Sequence, residues 1–271
     1  MTSDAATSEG SGSFLLIHGM AHGAWCWYKI VALLRSANAN AIAIDLPSHG
    51  IDRADRMTVT LDSYVDATIA ALERFDSPPI LVAHSMGGIV ITAVAERRPD
   101  LVRALVYVSA FLLPNGETID SYVQKSGLHS DFFAMLQAPD EENSIGIAPG
   151  RRREVLYGES PRADVELARL LIAGQPLGPL GTPTATTPQA FGSVPRYYVR
   201  CTKDKVITLP MQDRMLQDTA CEAVEALDAD HSPFFSRPED LATVLHKFSH
   251  IAMERVRQLD GELQTTDARR E

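Results

Sequence analysis

The sequence predicts an α/β protein: a doubly wound, mainly parallel sheet of about six strands, with a helical insertion. Three observations carry that expectation. Short apolar runs alternate with helical patterns along the chain. The runs are continuous rather than alternating, as strands covered on both faces should be. The rhythm then breaks once, between residues 114 and 191, for longer than a structureless loop inside a compact domain normally lasts.

The strand candidates are 14–17 (FLLI), 41–44 (AIAI), 80–83 (ILVA) and 105–108 (LVYV), all too short for helices. Two later runs, 196–201 and 223–227, are less purely apolar but strand-like. Between them, residues 60–75 place Leu61, Val65, Ile69 and Leu72 on one helical stripe. Residues 88–97 and 209–216 also read as helices. Strands joined by crossover helices give a parallel sheet with helices on both faces.

The domain expectation follows: a core from 14–113 and 192–258, a lid or cap insertion over 114–191, and disordered tails at 1–13 and 259–271. The insertion carries charge clusters at 140–142 and 151–153 and Gly/Pro turns at 175–179. At the sheet's C-terminal edge it would cover the crevice where α/β folds place their ligands.

Composition narrows the function. A chain of 271 residues, 45% hydrophobic, suits one large domain with a sizeable core. Its formal net charge of −10 argues against nucleic acid as a partner, because phosphate binding needs a basic face. Three scattered cysteines (Cys26, Cys201 and Cys221) build neither a disulfide framework nor a zinc site and read as free thiols. There is no signal-peptide pattern and no apolar run of the ~20 residues that span a bilayer. The expectation is a soluble cytoplasmic protein with no membrane partner, needing no metal or organic cofactor.

The informative segment is 80–88, ILVAHSMGG. A strand ends, a serine stands among small residues, and a helix begins. That turn is so tight that the residues two before and two after the serine need minimal side chains, here Ala83 and Gly87. The pattern is A-x-S-x-G, a mild departure from G-x-S-x-G. Serine often caps a helix, yet strand, small neighbours and helix together mark Ser85 as a nucleophile on an elbow, and the fold as that of the α/β hydrolases. Acyl transfer also needs two N–H donors for the oxyanion. The Met86 amide supplies one. The glycine-bearing loop 18–23 (HGMAHG) supplies the other at Met20, with Gly19 beside the substrate and His18 bracing the loop.

Serine needs a base. In this fold the order is Ser, then Asp or Glu, then His, and of eight histidines only His231, His246 and His250 lie far enough downstream. His246 and His250 share a helical face, while His231 follows the last strand on the sheet's C-terminal edge. Asp204 stands just after the strand 196–201 and is the expected orienter, with Asp228 the alternate.

The run 18–29 (HGMAHGAWCWYK), with 83–88, 202–204 and 228–236, resembles the plant methylesterases and their hydroxynitrile-lyase relatives, and also bacterial pyrethroid-hydrolysing carboxylesterases. The likeness spans residues 14 to about 248. It implies a hydrophobic ester pocket and often a homodimer. Pocket candidates are Gly19, Met20, Trp25, Met86, Phe132, Phe133 and Phe191. The expected activity is hydrolysis of a hydrophobic small-molecule carboxylic ester. Rival readings are a hydroxynitrile lyase, a carbon–carbon bond hydrolase of the same fold, and a non-catalytic small-ligand receptor. The lyases place threonine and lysine where this chain has Gly19 and Ser232, which leaves no ammonium for departing cyanide.

Overall fold

A computed structural model describes residues 12–128, 134 and 136–267. Phe132 and Phe133 lie outside the described residues. The strands are β1 (Ser13–Ile17), β2 (Asn40–Ile44), β3 (Ile80–Ser85), β4 (Ala104–Ala110), β5 (Ser144–Ile145), β6 (Gln175–Pro176), β7 (Arg196–Cys201) and β8 (Ala223–Leu227). The helices are α1 (Tyr28–Ser36), α2 (Leu61–Leu72), α3 (Gly87–Arg97), α4 (Ile119–Ser126), α5 (Arg152–Leu156), α6 (Arg162–Leu171), α7 (Leu209–Asp218), α8 (Pro233–Ser236) and α9 (Pro238–Asp267).

Six strands form one sheet in the order β2-β1-β3-β4-β7-β8, with every neighbouring pair parallel. The chain leaves β1 toward one edge and β3 toward the other. The strand order therefore reverses between them, and the loops after β1 and β3 meet at the crevice that favours ligands. Every residue of β3 and β4 is buried, which explains their unbroken apolar runs. β8 is an edge strand whose Val224 and Ala226 face solvent, so its sequence is mixed. On α2, Leu61, Val65 and Leu72 are buried as the stripe requires. Thr60 caps that helix, its hydroxyl accepting from the Ser63 N–H at 3.2 Å.

Between β4 and β7 the chain forms α4, α5, α6 and the two-residue antiparallel pair β5–β6. This insertion is fastened to the core. Ala21 donates its N–H to Gln175 Oε1 (3.2 Å) and accepts at its carbonyl from Ala173 N–H (3.0 Å). Buried Asp164 of α6 accepts from Tyr28 Oη and Lys29 Nζ, each at 2.6 Å.

The ends differ from expectation. Ser13 already belongs to β1, and α9 continues to Asp267 through the segment expected to be a tail. Within that segment Leu259, Glu262, Leu263 and Gln264 are good helix formers, and a single glycine costs a helix only about 1 kcal/mol. Among the described residues no helix is long and apolar enough to cross a membrane.

Candidate active site

The turn from β3 into α3 is as cramped as its small residues suggest. Ser85 takes φ +53°, a left-handed conformation that costs free energy for a non-glycine residue and is held by its surroundings. A Cβ on Gly87 would lie 2.8 Å from the His18 carbonyl and 3.2 Å from the Ala83 methyl. A Cβ on Gly88 would strike the Phe111 carbonyl at 2.3 Å. Any larger side chain would push the elbow off the sheet.

Three segments converge at this rim. His231 Nε2 lies 3.1 Å from Ser85 Oγ, and His231 Nδ1 lies 2.7 Å from Asp204 Oδ2. All three residues are buried. A carboxylate only accepts, so Nδ1 carries the proton and Nε2 is left to accept from the Ser85 hydroxyl. Asp204 is itself held from every side. Its Oδ1 accepts from Val206 N–H (2.6 Å) and Ile207 N–H (3.0 Å), and its Oδ2 accepts also from the Ser109 hydroxyl. Ser109, near the end of β4, is the acid's fourth donor, and nothing in the sequence sets its hydroxyl apart. Asp228, the alternate, is exposed and pairs with Lys203 at 2.8 Å, which keeps its pKa below the usual carboxylate range. It does not meet His231.

The loop after β1 is set by buried histidines. His18 Nδ1 lies 2.8 Å from the Gly19 carbonyl, and its Nε2 accepts from Leu46 N–H at 3.1 Å. The Nε2 bond fixes the tautomer, so Nδ1–H donates to the Gly19 carbonyl. That carbonyl shares a peptide plane with the Met20 N–H, so His18 orients and polarises the amide expected to face an oxyanion. Met20 N–H has no acceptor of its own among the described residues, and Met86 N–H opens α3, where amides have no intrahelical partner. His22 receives the Tyr157 hydroxyl at Nε2 (2.7 Å) and donates from Nδ1 to the Met20 carbonyl (2.7 Å). His84 donates from Nε2 to the His231 carbonyl at 2.7 Å, fixing the backbone that carries the imidazole. Burial pulls the pKa of His22 down to about 4, and those of His18 and His84 well below the ordinary histidine value. These three rings are therefore neutral and structural at neutral pH.

Over Ser85 lies an apolar cavity of about 140 Å³, lined by Met20, Met86, Phe111, Ile119, Leu136, Leu180 and Val206, with Asp120 adding a carboxylate. Met20 and Met86 stand where expected. Other pocket candidates do not. Gly19 sits under the elbow, where a Cβ would come 2.8 Å from both Ser85 Cβ and His84 Nδ1, so it serves close approach rather than substrate contact. Trp25 stacks on His22 with ring centroids 5.2 Å apart, and Phe191 packs under the Arg196 guanidinium at 4.6 Å. Both satisfy packing elsewhere. Phe111 could have been found: it directly follows β4, the strand beside the elbow, and its N–H donates to the Ser85 carbonyl at 3.0 Å. His246 lies edge-on to Phe14, and no metal-holding cluster with His250 occurs among the described residues.

A parallel sheet bearing a serine elbow at its switch point defines the class: an α/β hydrolase. The chain belongs to the alpha/beta hydrolase family, matching it over residues 14–244. Methylesterase 17 of Arabidopsis thaliana is 35% identical over 250 residues, covering 86% of this chain and 90% of the relative. Putative methylesterase 11, chloroplastic, of the same plant is 32% identical; the match covers 88% of this chain but 64% of that longer protein. Among solved structures, a pyrethroid hydrolase from Sphingobium faniae JZ-2 superposes with TM-score 0.79 at 27% identity, covering 90% of this chain and 99% of the other.

Proposed function

We propose that the chain is a serine carboxylesterase that hydrolyses a hydrophobic small-molecule ester through an acyl-enzyme. Ser85 attacks the carbonyl as His231 takes its proton, and Asp204 offsets the imidazolium charge. The Met20 and Met86 amides receive the oxyanion. His231 returns the proton to the departing alcohol, then activates the water that releases the acid. One observation carries this reading: the unbroken line of contacts Ser85–His231–Asp204 beneath a small apolar cavity. The relatives' names, methylesterase and pyrethroid hydrolase, agree with an ester of that character. Buried, unpaired Cys26 and Cys201 fit a reducing compartment such as the cytoplasm.

The lyase alternative fits less well. A threonine at position 19 would drive its Cβ into Ser85 and His84, and Ser232 provides no cation for cyanide. The test is turnover of p-nitrophenyl acetate and a screen of methyl, aryl and pyrethroid-type esters. Ser85→Ala lowers kcat by roughly 10⁴–10⁶ with the fold intact. Undiminished turnover in the purified variant overturns the reading, and ligand binding without turnover in the unaltered protein favours a receptor.

A further inference from the structure

The insertion holds a second cavity, about 410 Å³, away from Ser85 and lined by α5, α6 and their flanks. On α6, Arg162, Val165 and Arg169 follow one another at spacings of three and four, which puts them on a single helix face, and Ile172 lines the cavity from the residue that ends the helix. Arg152, Arg153 and Tyr157 line it from α5 and the residue after it. Another face of α6 is committed to the core through buried Asp164, which pairs with Lys29.

The lining is therefore four arginines against one glutamate, Glu166, on a chain whose net charge is −10. Two of the four are spoken for. Arg169 pairs with Glu166 at 2.9 Å, and Arg152 gives its guanidinium to the Ile147 carbonyl. Arg153 and Arg162 are exposed and have no acceptor among the described residues. Between the charges the wall is apolar, formed by Val165, Ala168 and Ile172.

We propose that this cavity binds an amphipathic carboxylate, its aryl or acyl body against Val165, Ala168 and Ile172 and its anionic head between Arg153 and Arg162. The planar guanidinium fork matches a carboxylate better than any neutral group. A polyanion fits worse, because Glu166 stands in the wall and the surrounding chain is acidic. Size supports a small organic acid, since the cavity falls in the range of ordinary ligand pockets.

The experiment is titration calorimetry on the full chain with phenylacetate and, in parallel, its neutral counterpart phenylacetamide. The unaltered protein binds one equivalent of phenylacetate, at least about tenfold more tightly than the amide, because a charged hydrogen bond is worth about that factor or more. Raising the salt weakens the acid and leaves the amide alone. The double variant Arg153→Gln, Arg162→Gln loses about tenfold or more in affinity for phenylacetate only. Both side chains are exposed, and circular dichroism checks that the fold is kept. No heat with phenylacetate, equal affinity for acid and amide, or unchanged binding by the double variant each overturns the proposal. The last places the acid elsewhere, for example in the cavity above Ser85. None of these readouts depends on the proposed chemistry of Ser85.

Discussion

Replacing Asp204 by asparagine tests the site through a change of two atoms, and the structure dictates its outcome. Val206 and Ile207 aim two backbone N–H groups at Oδ1. Only an oxygen can accept them, so the carboxamide oxygen stays there and the NH₂ takes the place of Oδ2. That nitrogen then faces His231 Nδ1 at the former 2.7 Å contact and donates to it. The Ser109 hydroxyl, relieved of its acceptor, turns to accept. His231 is driven into the tautomer with its hydrogen on Nε2, where it can no longer take the proton of Ser85. The expected loss in kcat is about 10⁴, the size seen when a triad acid is made neutral without moving it. That corresponds to about 5.4 kcal/mol of barrier. Burst kinetics with p-nitrophenyl acetate, alongside circular dichroism, separate lost chemistry from lost folding. Asp228→Asn is the control: it removes only an exposed ion pair with Lys203 and leaves the rate within about twofold. A loss below tenfold in Asp204→Asn, or a larger loss in Asp228→Asn, refutes the reasoning.

Tyr157→Phe strips the donor from His22 Nε2 inside the core, and urea denaturation is expected to show a loss of about 1–3 kcal/mol; an unchanged midpoint would mean the contact is idle. Gly87→Ala forces a methyl against the His18 carbonyl and Ala83, costing about 1–3 kcal/mol and displacing Ser85, to be read from the denaturation midpoint and kcat together. Stability should also fall in acid. His22 binds its proton only near pH 4 when folded but near 6.5 when unfolded. Between those values the unfolded chain holds more protons, so stability drops as pH falls through that window, by about 2 kcal/mol from His22 on reaching pH 5. His18 and His84 shift in the same direction. Equal denaturation midpoints at pH 7 and pH 5 would contradict the buried neutral rings.

What could be read from the chain tracks how local the signal is. The strands β1, β3 and β4 were legible because each is a short apolar run covered on both faces; β2, at the sheet edge and only partly buried, was legible from its apolar run alone, and β8 was blurred because one of its faces meets water. Ser85, His231 and Asp204 could be picked out because each stands at or just past a strand end on one rim. The cavity wall could not. Leu136 and Leu180 arrive from the insertion by packing between segments distant in sequence, and no spacing rule links them to Ser85. Trp25 and Phe191 misled because a large aromatic is apolar wherever it packs. Ser109 escaped because a hydroxyl at a strand end looks the same whether or not an acid waits 95 positions further on.

Asp230 has a consequence of its own. It accepts from Glu159 N–H and Ser160 on the insertion while also holding Ser232 N–H and Ser236 on the stretch beside His231. Together with Tyr157 on His22, it rivets the inner edge of the roof to the working machinery at two points. Movement of the insertion at those points disturbs the backbone beside His231 and the His22 ring that holds the Met20 carbonyl. Leu136 and Leu180, by contrast, reach the cavity without a bond to Asp230 or Tyr157, and substitutions there reshape its wall while leaving both ties in place.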